Sequence, residues 1–394
     1  MMLNTSSSVD SPSVEGFEAL PASSFTVGYL GPEYSHSHQA LHTLWTQLLH
    51  PFFAFSATSS SEATYRFEEV VFHPTAMAGI AELVQGVKHG KLHLALIPYE
   101  NSLEGSVRES IEEVFFHQST QGTTRHGGLV QGHEVTSFHP TLMPVLEFST
   151  LIQHCLAVHP TTPEPSEADG VNWTVWSHPM AFRQSRHTLK RYFGTLPAFH
   201  QMPSTSAAAC ALSQGFSDAS VQASQAVVCS KLAIEAYGLK CLQEHVNDEP
   251  YNETRFLLLA SPALFHSQAS ESLRTVLQRV YQALPLYLES REPSSLEKVD
   301  LSEGMTWKLP LCIRLKNRVG VLADCLQIFS VMGLDLSRIE SVPLRRGLGE
   351  YRFHIDVAFK TQPTSSECAK LIEALQDFCV EVQWLEPFVC LGQW

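Results

Sequence analysis

From Phe25 onward the chain alternates short apolar runs with longer amphipathic stretches, and this rhythm restricts it to an α/β arrangement, with strands expected to be largely parallel. Thr26 to Leu30 and Leu92 to Ile97 read as buried strands. Between them Met77, Ile80, Ala81, Val84 and Val87 recur at helical spacing. Further on, Leu151 to Val158, Trp173 to Trp176, Pro179 to Phe193, Ser204 to Ser213 and Ala226 to Cys229 read as strand, strand, helix, helix and strand. Two polar stretches, 119–140 and 160–172, read as surface insertions.

The period changes beyond Trp307. Leu311 to Leu315 and Leu334 to Ser341 read as strands flanking a helix from Gly320 to Met332. Tyr351, Phe353, Ile355 and Val357 alternate with Arg352, His354 and Asp356, the pattern of a half-exposed strand. Cys368, Leu371, Ile372, Leu375 and Phe378 give a second helix before a closing strand at Val380 to Trp384. The order βαββαβ is ferredoxin-like, with one sheet face under two helices and the other face or an edge open for pairing. At 394 residues the chain exceeds what one core serves, so several units are expected. The divisions are a disordered Ser-rich extension at 1–24, an α/β unit at 25–261, a linker with a helix between Leu273 and Leu284 at 262–306, and a separable C-terminal unit at 307–394.

A net charge of −14 with no basic stripe excludes nucleic-acid and anionic-membrane partners. No apolar run is long enough to span a bilayer, and the first two dozen residues carry Asp10, Glu15 and Glu18 without Lys or Arg, unlike a targeting segment. Nine cysteines without a Cys-x-x-Cys pair indicate reduced, cytoplasmic usage, and the histidines show no zinc-ligand spacing. No metal or organic cofactor is expected.

Four polar segments follow predicted strands and open helices or turns. Gly31-Pro32 makes a turn before Ser35, which can cap a helix whose first amides suit a carboxylate. Asn101 and Ser102 follow a buried strand, where open α/β sheets place ligands. In that segment Glu100 reads as an orienting or strand-bracing carboxylate and Glu104 as solvated. Ser177 and Gln184 mark the third segment, which pairs with Ser204-Thr205-Ser206. Thr254-Arg255-Phe256 sets a hydroxyl and a permanent cation against an apolar strand. Together they describe a cleft for a small, oxygen-rich, multiply anionic molecule, with no nucleophile–base pair or Gly-rich phosphate loop.

These residues resemble the prephenate dehydratase family over most of 25–394. The resemblance is carried by Tyr29-Leu30-Gly31-Pro32 with Ser35 to Ala40, Ile97 to Ser102 with Gly105-Ser106, His154-Cys155-Leu156, Ser177-His178-Pro179, Ser204 to Ala208, Tyr237-Gly238-Leu239 and Thr254-Arg255-Phe256. It implies a two-lobed fold similar to type 2 periplasmic binding proteins, with prephenate converted to phenylpyruvate in the interlobe cleft. It further implies catalytic roles for Thr254, Asn101 and Gln184, with Arg255, Ser177 and Ser206 as substrate-binding residues; Ser102 and Ser35, hydroxyls at the same strand ends, are substrate-binding candidates beside them. Arogenate as substrate, and a non-catalytic amino-acid or solute sensor, are the competing readings.

The C-terminal portion resembles the ACT regulatory domain. Asn317-Arg318-Val319-Gly320-Val321-Leu322 matches the loop that contacts phenylalanine in that family. Ile339-Glu340-Ser341-Val342-Pro343 matches its second motif, except that Val342 stands where Arg is usual. The resemblance implies phenylalanine as effector, held by Asn317, Gly320, Val321, Leu322, Glu340 and Ser341. It also implies a homodimer or dimer of dimers.

Overall fold

The computed structural model of the protein describes residues 24–49, 65–67, 70–115, 142–163, 172–215, 224–261, 306–344 and 349–393. The N-terminal extension, the first predicted insertion, most of the second and the stretch 262–305 with its predicted helix lie outside the described residues.

The first lobe contains β1 (Ser24–Leu30), α1 (His36–Thr43), β2 (Tyr65–Phe67), β3 (Val70–Met77), α2 (Ile80–Lys88), β4 (Leu94–Asn101), β5 (Gly105–Ser106), α3 (Arg108–Phe115) and β6 (Met143–Leu151). Predicted as one strand, Leu151 to Val158 is in fact a lobe crossing: β6 ends at Leu151, and the chain enters a second lobe at β7 (Cys155–Val158). That lobe continues with β8 (Thr174–Ser177), α4 (Pro179–Arg183), α5 (Arg186–Phe193), β9 (Ala198–Gln201), α6 (Thr205–Ser213), β10 (Gln225–Cys229), a helix at Lys231–Ala236 and β11 (Lys240–Gln243). Its sheet runs β11-β7-β10-β8-β9. Residues 244–252 then carry the chain back to the first lobe as β12 (Glu253–Ala260).

The strands are mixed rather than largely parallel. β1 pairs parallel with β3 and β4, as apolar runs joined by helical crossovers should. β12 inserts between β4 and β6 and is antiparallel to both, because it enters from the other lobe instead of through a crossover helix. The predicted helix Pro179 to Phe193 is broken into α4 and α5. Asp248, on the returning segment, accepts from the amides of His187 (2.9 Å) and Thr188 (2.8 Å) and so supplies the caps of a new helix start.

The C-terminal unit comprises β13 (Thr306–Leu315), a helix at Val321–Val331, β14 (Asp335–Pro343), β15 (Tyr351–Phe359), a helix at Ser365–Gln376, β16 (Cys379–Trp384) and β17 (Phe388–Gln393). Gly320 has φ of +79°, a left-handed turn that a side chain would strain, and it starts the first of these helices. Thr364 and Glu367 close a capping box at the second. The strand order β14-β15-β13-β16 is ferredoxin-like and antiparallel throughout. Leu309, Leu311, Ile313, Ile355 and Val357 meet Cys325, Phe329, Leu371 and Leu375 of the helices in one core.

The other face of this sheet is not open, and the unit is not a bead on a linker. Unforeseen in the sequence, β17 pairs antiparallel with β13 and parallel with β6, so one sheet runs β14-β15-β13-β17-β6-β12-β4-β1-β3-β2. Cys312, Leu385 and Phe388 join Tyr99, Val114, Phe115 and Leu257 in the first lobe's core. His354 and Asp356, read as the exposed side of a half-exposed strand, are 1% and 2% accessible. His354 packs edge-on against Phe115 of the first lobe, with ring centroids 5.0 Å apart, and Asp356 faces Arg338 of β14 at 3.7 Å. Among the described residues no helix is long and apolar enough to cross a membrane.

A shared sheet predicts shared unfolding. Urea denaturation followed by fluorescence and by circular dichroism should give one coincident transition, and Phe388→Ala should lower its stability by about 3–5 kcal/mol. Two resolved transitions, with only the later residues affected, would contradict the joint core.

Candidate active site

The site is built where β4 and β12 end side by side. Their antiparallel register places Asn101 opposite Thr254, and the strand ends coincide with the return from the second lobe. Asn101 Oδ1 accepts from the amides of Leu103 and Glu104, both at 3.0 Å, which turns its Nδ2 toward the cleft. Nδ2 donates to Thr254 Oγ1 and to Asn252 Oδ1, each at 2.9 Å. Thr254 is 8% accessible, and with its oxygen already accepting, its hydroxyl proton is the part left for a ligand.

From Asn252 the chain of hydrogen bonds crosses to the second lobe. Asn252 Nδ2 donates to Gln184 Oε1 at 2.9 Å, and His154 Nε2 lies 3.1 Å from the same oxygen. Two partners on Oε1 assign the proton of His154 to Nε2 and leave the Gln184 amide nitrogen facing the cleft, 3.5 Å from Glu104 Oε1. Gln184 caps α4 at the helix break, so the same break that the periodicity concealed frees this side chain for the site. His36 packs edge-on against His154, with ring centroids 5.0 Å apart. Burial, reinforced by His154, pushes the His36 imidazole down to about 3, and burial likewise lowers His154. The site is therefore lined by neutral amides, a hydroxyl and neutral imidazoles.

Thr254, Asn101 and Gln184 are thus brought together, linked by Asn252 and His154, which sequence reasoning did not single out. Both lay in view: Asn252 sits two residues before Thr254, and His154 opens His154-Cys155-Leu156.

The serines hold walls instead of lining the centre. Ser177 Oγ donates to Val228 O at 2.8 Å and ties β8 to β10. Ser206 Oγ donates to Glu33 O, and Ser230 Oγ to Tyr34 O at 2.8 Å, so two helix starts of the second lobe grip the turn of the first. Ser102 Oγ donates to Tyr251 O (2.8 Å) and accepts from the Glu253 amide (2.9 Å), clasping the returning segment. Ser35 Oγ donates to Leu30 O at 3.0 Å and caps α1 by accepting from the His38 amide at 3.3 Å.

Arg255 departs from the expectation of a ligand cation. Successive strand residues point to opposite faces, so the residue after Thr254 turns away from it. Its guanidinium is engaged by Glu100, and its Nε lies 3.1 Å from Glu147 Oε1. The cation on the cleft side is Arg183 of α4, whose Nη2 is 2.9 Å from Glu104 Oε1 across the lobes. Glu104 is therefore paired, not simply solvated. With the two side chains 63% and 35% accessible, such a bridge is worth only about 0–1 kcal/mol and an incoming anion can displace it.

In the C-terminal unit, Gly320, Val321 and Leu322 line a shallow, open cavity of about 460 Å³ together with Arg318, Ala323 and Leu326. Asn317 precedes this lining. Glu340 and Ser341 lie on β14, separated from the loop by β15 and β13, and Glu340 Oε2 is 3.5 Å from Arg338 Nη2. Within one chain the two motifs share an end of the sheet without meeting.

A family model described as prephenate dehydratase matches residues 27–263. The chain is 27% identical over 359 residues to a prephenate dehydratase of Mycolicibacterium vanbaalenii, covering 91% of this chain and 89% of that protein. Two solved structures share the fold. One, GqqA, described as a novel type of quorum quenching acylase, has a TM-score of 0.58 at 19% identity, covering 92% of this chain and 97% of the other. The other, a prephenate dehydratase from Arthrobacter aurescens in complex with L-Phe, has a TM-score of 0.56 at 20% identity, covering 92% and 89%.

Neutral buried imidazoles give a pH signature. Because the folded pKa of His36 lies below its ordinary 6.5, the unfolded chain takes up a proton first as pH falls. The stabilising effect is complete above about 6.5 and declines as pH drops toward about 3. NMR titration should leave the ring protons of His36 at neutral-imidazole shifts down to pH ~5 and place the His154 midpoint below its ordinary value; a midpoint near 6.5 for His36 would contradict the described packing.

Proposed function

The chain belongs to the prephenate dehydratase family, and we propose that it converts prephenate to phenylpyruvate with Thr254, Asn101 and Gln184 as the catalytic residues. The observation that carries the site assignment is the direct hydrogen bond from Asn101 Nδ2 to Thr254 Oγ1.

The reaction breaks the bond to the ring carboxylate, and its electron pair moves through the ring as the opposite hydroxyl departs. One proton balances the charge: prephenate dianion and a proton give phenylpyruvate, carbon dioxide and water. Aromatisation supplies the driving force, so the protein must hold the dianion and stabilise a leaving hydroxide. Donation from Asn101 into Thr254 Oγ1 polarises the Thr254 O–H, making it a better hydrogen-bond donor to that oxygen. Threonine is too weak an acid to be deprotonated outright, so the proton itself arrives from water relayed through the hydroxyl. Asn252 and His154 hold the Gln184 amide so that Nε2 donates to substrate oxygen. A carboxylate entering the cleft takes Arg183 from Glu104, a role the sequence suggested for Arg255.

The two crossings between lobes support reading the catalytic unit as similar to type 2 periplasmic binding proteins. For the C-terminal unit, the strand order and the Asn317 to Leu322 loop support an ACT domain. The family relative described in complex with L-Phe supports phenylalanine as its effector. Because β15 lies between β14 and the strand that leads into the loop, a second copy would complete the effector site from Gly320, Val321, Leu322, Glu340 and Ser341, which favours a homodimer or a dimer of dimers. Val342, in place of the usual Arg, weakens the effector's grip. The setting is cytoplasmic.

Purified protein should release phenylpyruvate from prephenate, read by absorbance, with slower turnover of arogenate and inhibition by added phenylalanine. Thr254→Ala should keep its unfolding midpoint and lose roughly 10²-fold or more in kcat. Near-normal turnover in that folded variant would remove Thr254 from the chemistry, and arogenate preferred over prephenate would reassign the substrate.

A further inference from the structure

Behind the Thr254–Asn101 pair, the preceding residue of β4 and the following residue of β12 point the other way, into a cluster that the C-terminal unit completes. Arg255 joins Glu100 and Glu147. Glu147, buried on β6, also accepts from Lys308 Nζ of β13 and lies 3.1 Å from Cys390 Sγ of β17. Arg338 of β14, itself buried, sets its guanidinium carbon 4.8 Å over the Tyr99 ring and its Nη1 3.7 Å from Asp356 Oδ2 of β15. At ordinary charges, Glu100, Glu147 and Asp356 balance Arg255, Lys308 and Arg338, and the partly exposed Glu340 lies 3.5 Å from Arg338 at the rim of the cluster. Burial opposes the charge on Lys308, but Glu147 and Cys390 outweigh it and raise the ammonium's pKa. Burial raises the Asp356 carboxyl, against the pull of Arg338.

Two observations make this more than a structural ion cluster. First, the charges of Lys308, Arg338, Glu147 and Asp356 are buried, and buried ion clusters often add no stability over apolar side chains of similar volume. Second, the cluster grips an irregularity. The β4–β12 register pairs Arg255 with Glu100 and Phe256 with Pro98, which leaves Tyr99 as the extra residue of a bulge. Bulges re-aim the side chains beside them, and this one lies two residues from Asn101 and directly under Arg338.

We infer that Lys308, Arg338 and Asp356 are positioning residues for the active site, holding the Tyr99 bulge and the Arg255–Glu100 pair so that Asn101 and Thr254 keep their hydrogen-bonding geometry. The inference rests on the reading of Thr254 and Asn101 as the catalytic pair. It makes the C-terminal unit the rear wall of the active site, so displacement of β13 or β14 reaches the chemistry through one layer of side chains. It also reverses the expectation that residues 307–394 form a separable unit.

The test compares prephenate turnover and unfolding midpoints of the full-length wild type with those of Lys308→Met, Arg338→Met and the charge-balanced double variant Arg338→Met/Asp356→Asn. Misplacement of a catalytic pair should lower kcat by roughly 10- to 100-fold with KM changed by less than about threefold. Lys308→Arg should recover part of the loss, and Lys360→Met, an exposed cation of the same unit, should behave as wild type. If a single variant fails to fold, the balanced double variant supplies the reading. Folded variants with wild-type kcat would overturn the inference while leaving the catalytic assignment intact. Absence of turnover in the wild type would overturn the catalytic reading and this inference with it.

Discussion

The alternation of side chains along two neighbouring strands organises this molecule. Where β4 and β12 end together, Asn101 and Thr254 face the cleft, while Glu100 and Arg255 face backward. In the proposed reaction one face offers hydrogen-bond donors to a dianion, and the other holds a cation that would otherwise compete for it. A two-residue period separates the two tasks across the thickness of one sheet. Every larger feature serves that junction: the return of the chain as β12, the bulge at Tyr99, and the strand β17 that brings the C-terminal unit behind it.

The two faces rest on different physics. On the cleft side the groups around Asn101, Thr254 and Gln184 are neutral, and the geometry is fixed because each amide oxygen already has its donors. Asn101 Oδ1 takes two backbone amides and Gln184 Oε1 faces Asn252 and His154, so either amide would lose two partners on flipping. On the rear side charges are held in place by mutual balance, which is sensitive to the loss of any member. The serines at Ser102, Ser206 and Ser230 fasten the lobes through backbone carbonyls, leaving the Glu104–Arg183 bridge as an exposed charged contact across the cleft.

Much of this was legible in the sequence, and the exceptions share a cause. β1, the Ser204-capped helix α6, β10 and the βαββαβ order of the C-terminal unit follow from local period and capping. The polar segments at Asn101, Gln184 and Thr254 stood out because hydroxyls and amides at strand ends are costly without partners. What local pattern could not convey was which faces meet. His354 and Asp356 read as solvent-facing because alternation reports polarity, and a polar face buried against charges looks the same as one in water. Arg255 read as a ligand cation because nothing nearby in sequence announces Glu147 or Lys308 as its surroundings. The antiparallel entry of β12 and the bridging by β17 are likewise consequences of long-range connection.

The central claim is that a donated hydrogen bond from Asn101 to Thr254 Oγ1 makes the threonine an effective donor to the leaving hydroxyl. The most direct measurement is prephenate turnover by Asn101→Asp beside the wild type. The substitution preserves size and the oxygen that receives the Leu103 and Glu104 amides, replaces the donating nitrogen by an acceptor oxygen and adds a negative charge, so the loss is read in kcat at saturating prephenate, where weaker binding of the dianion does not count. The account predicts a folded protein whose kcat falls by roughly 10²-fold or more. Turnover within a few-fold of wild type would contradict it.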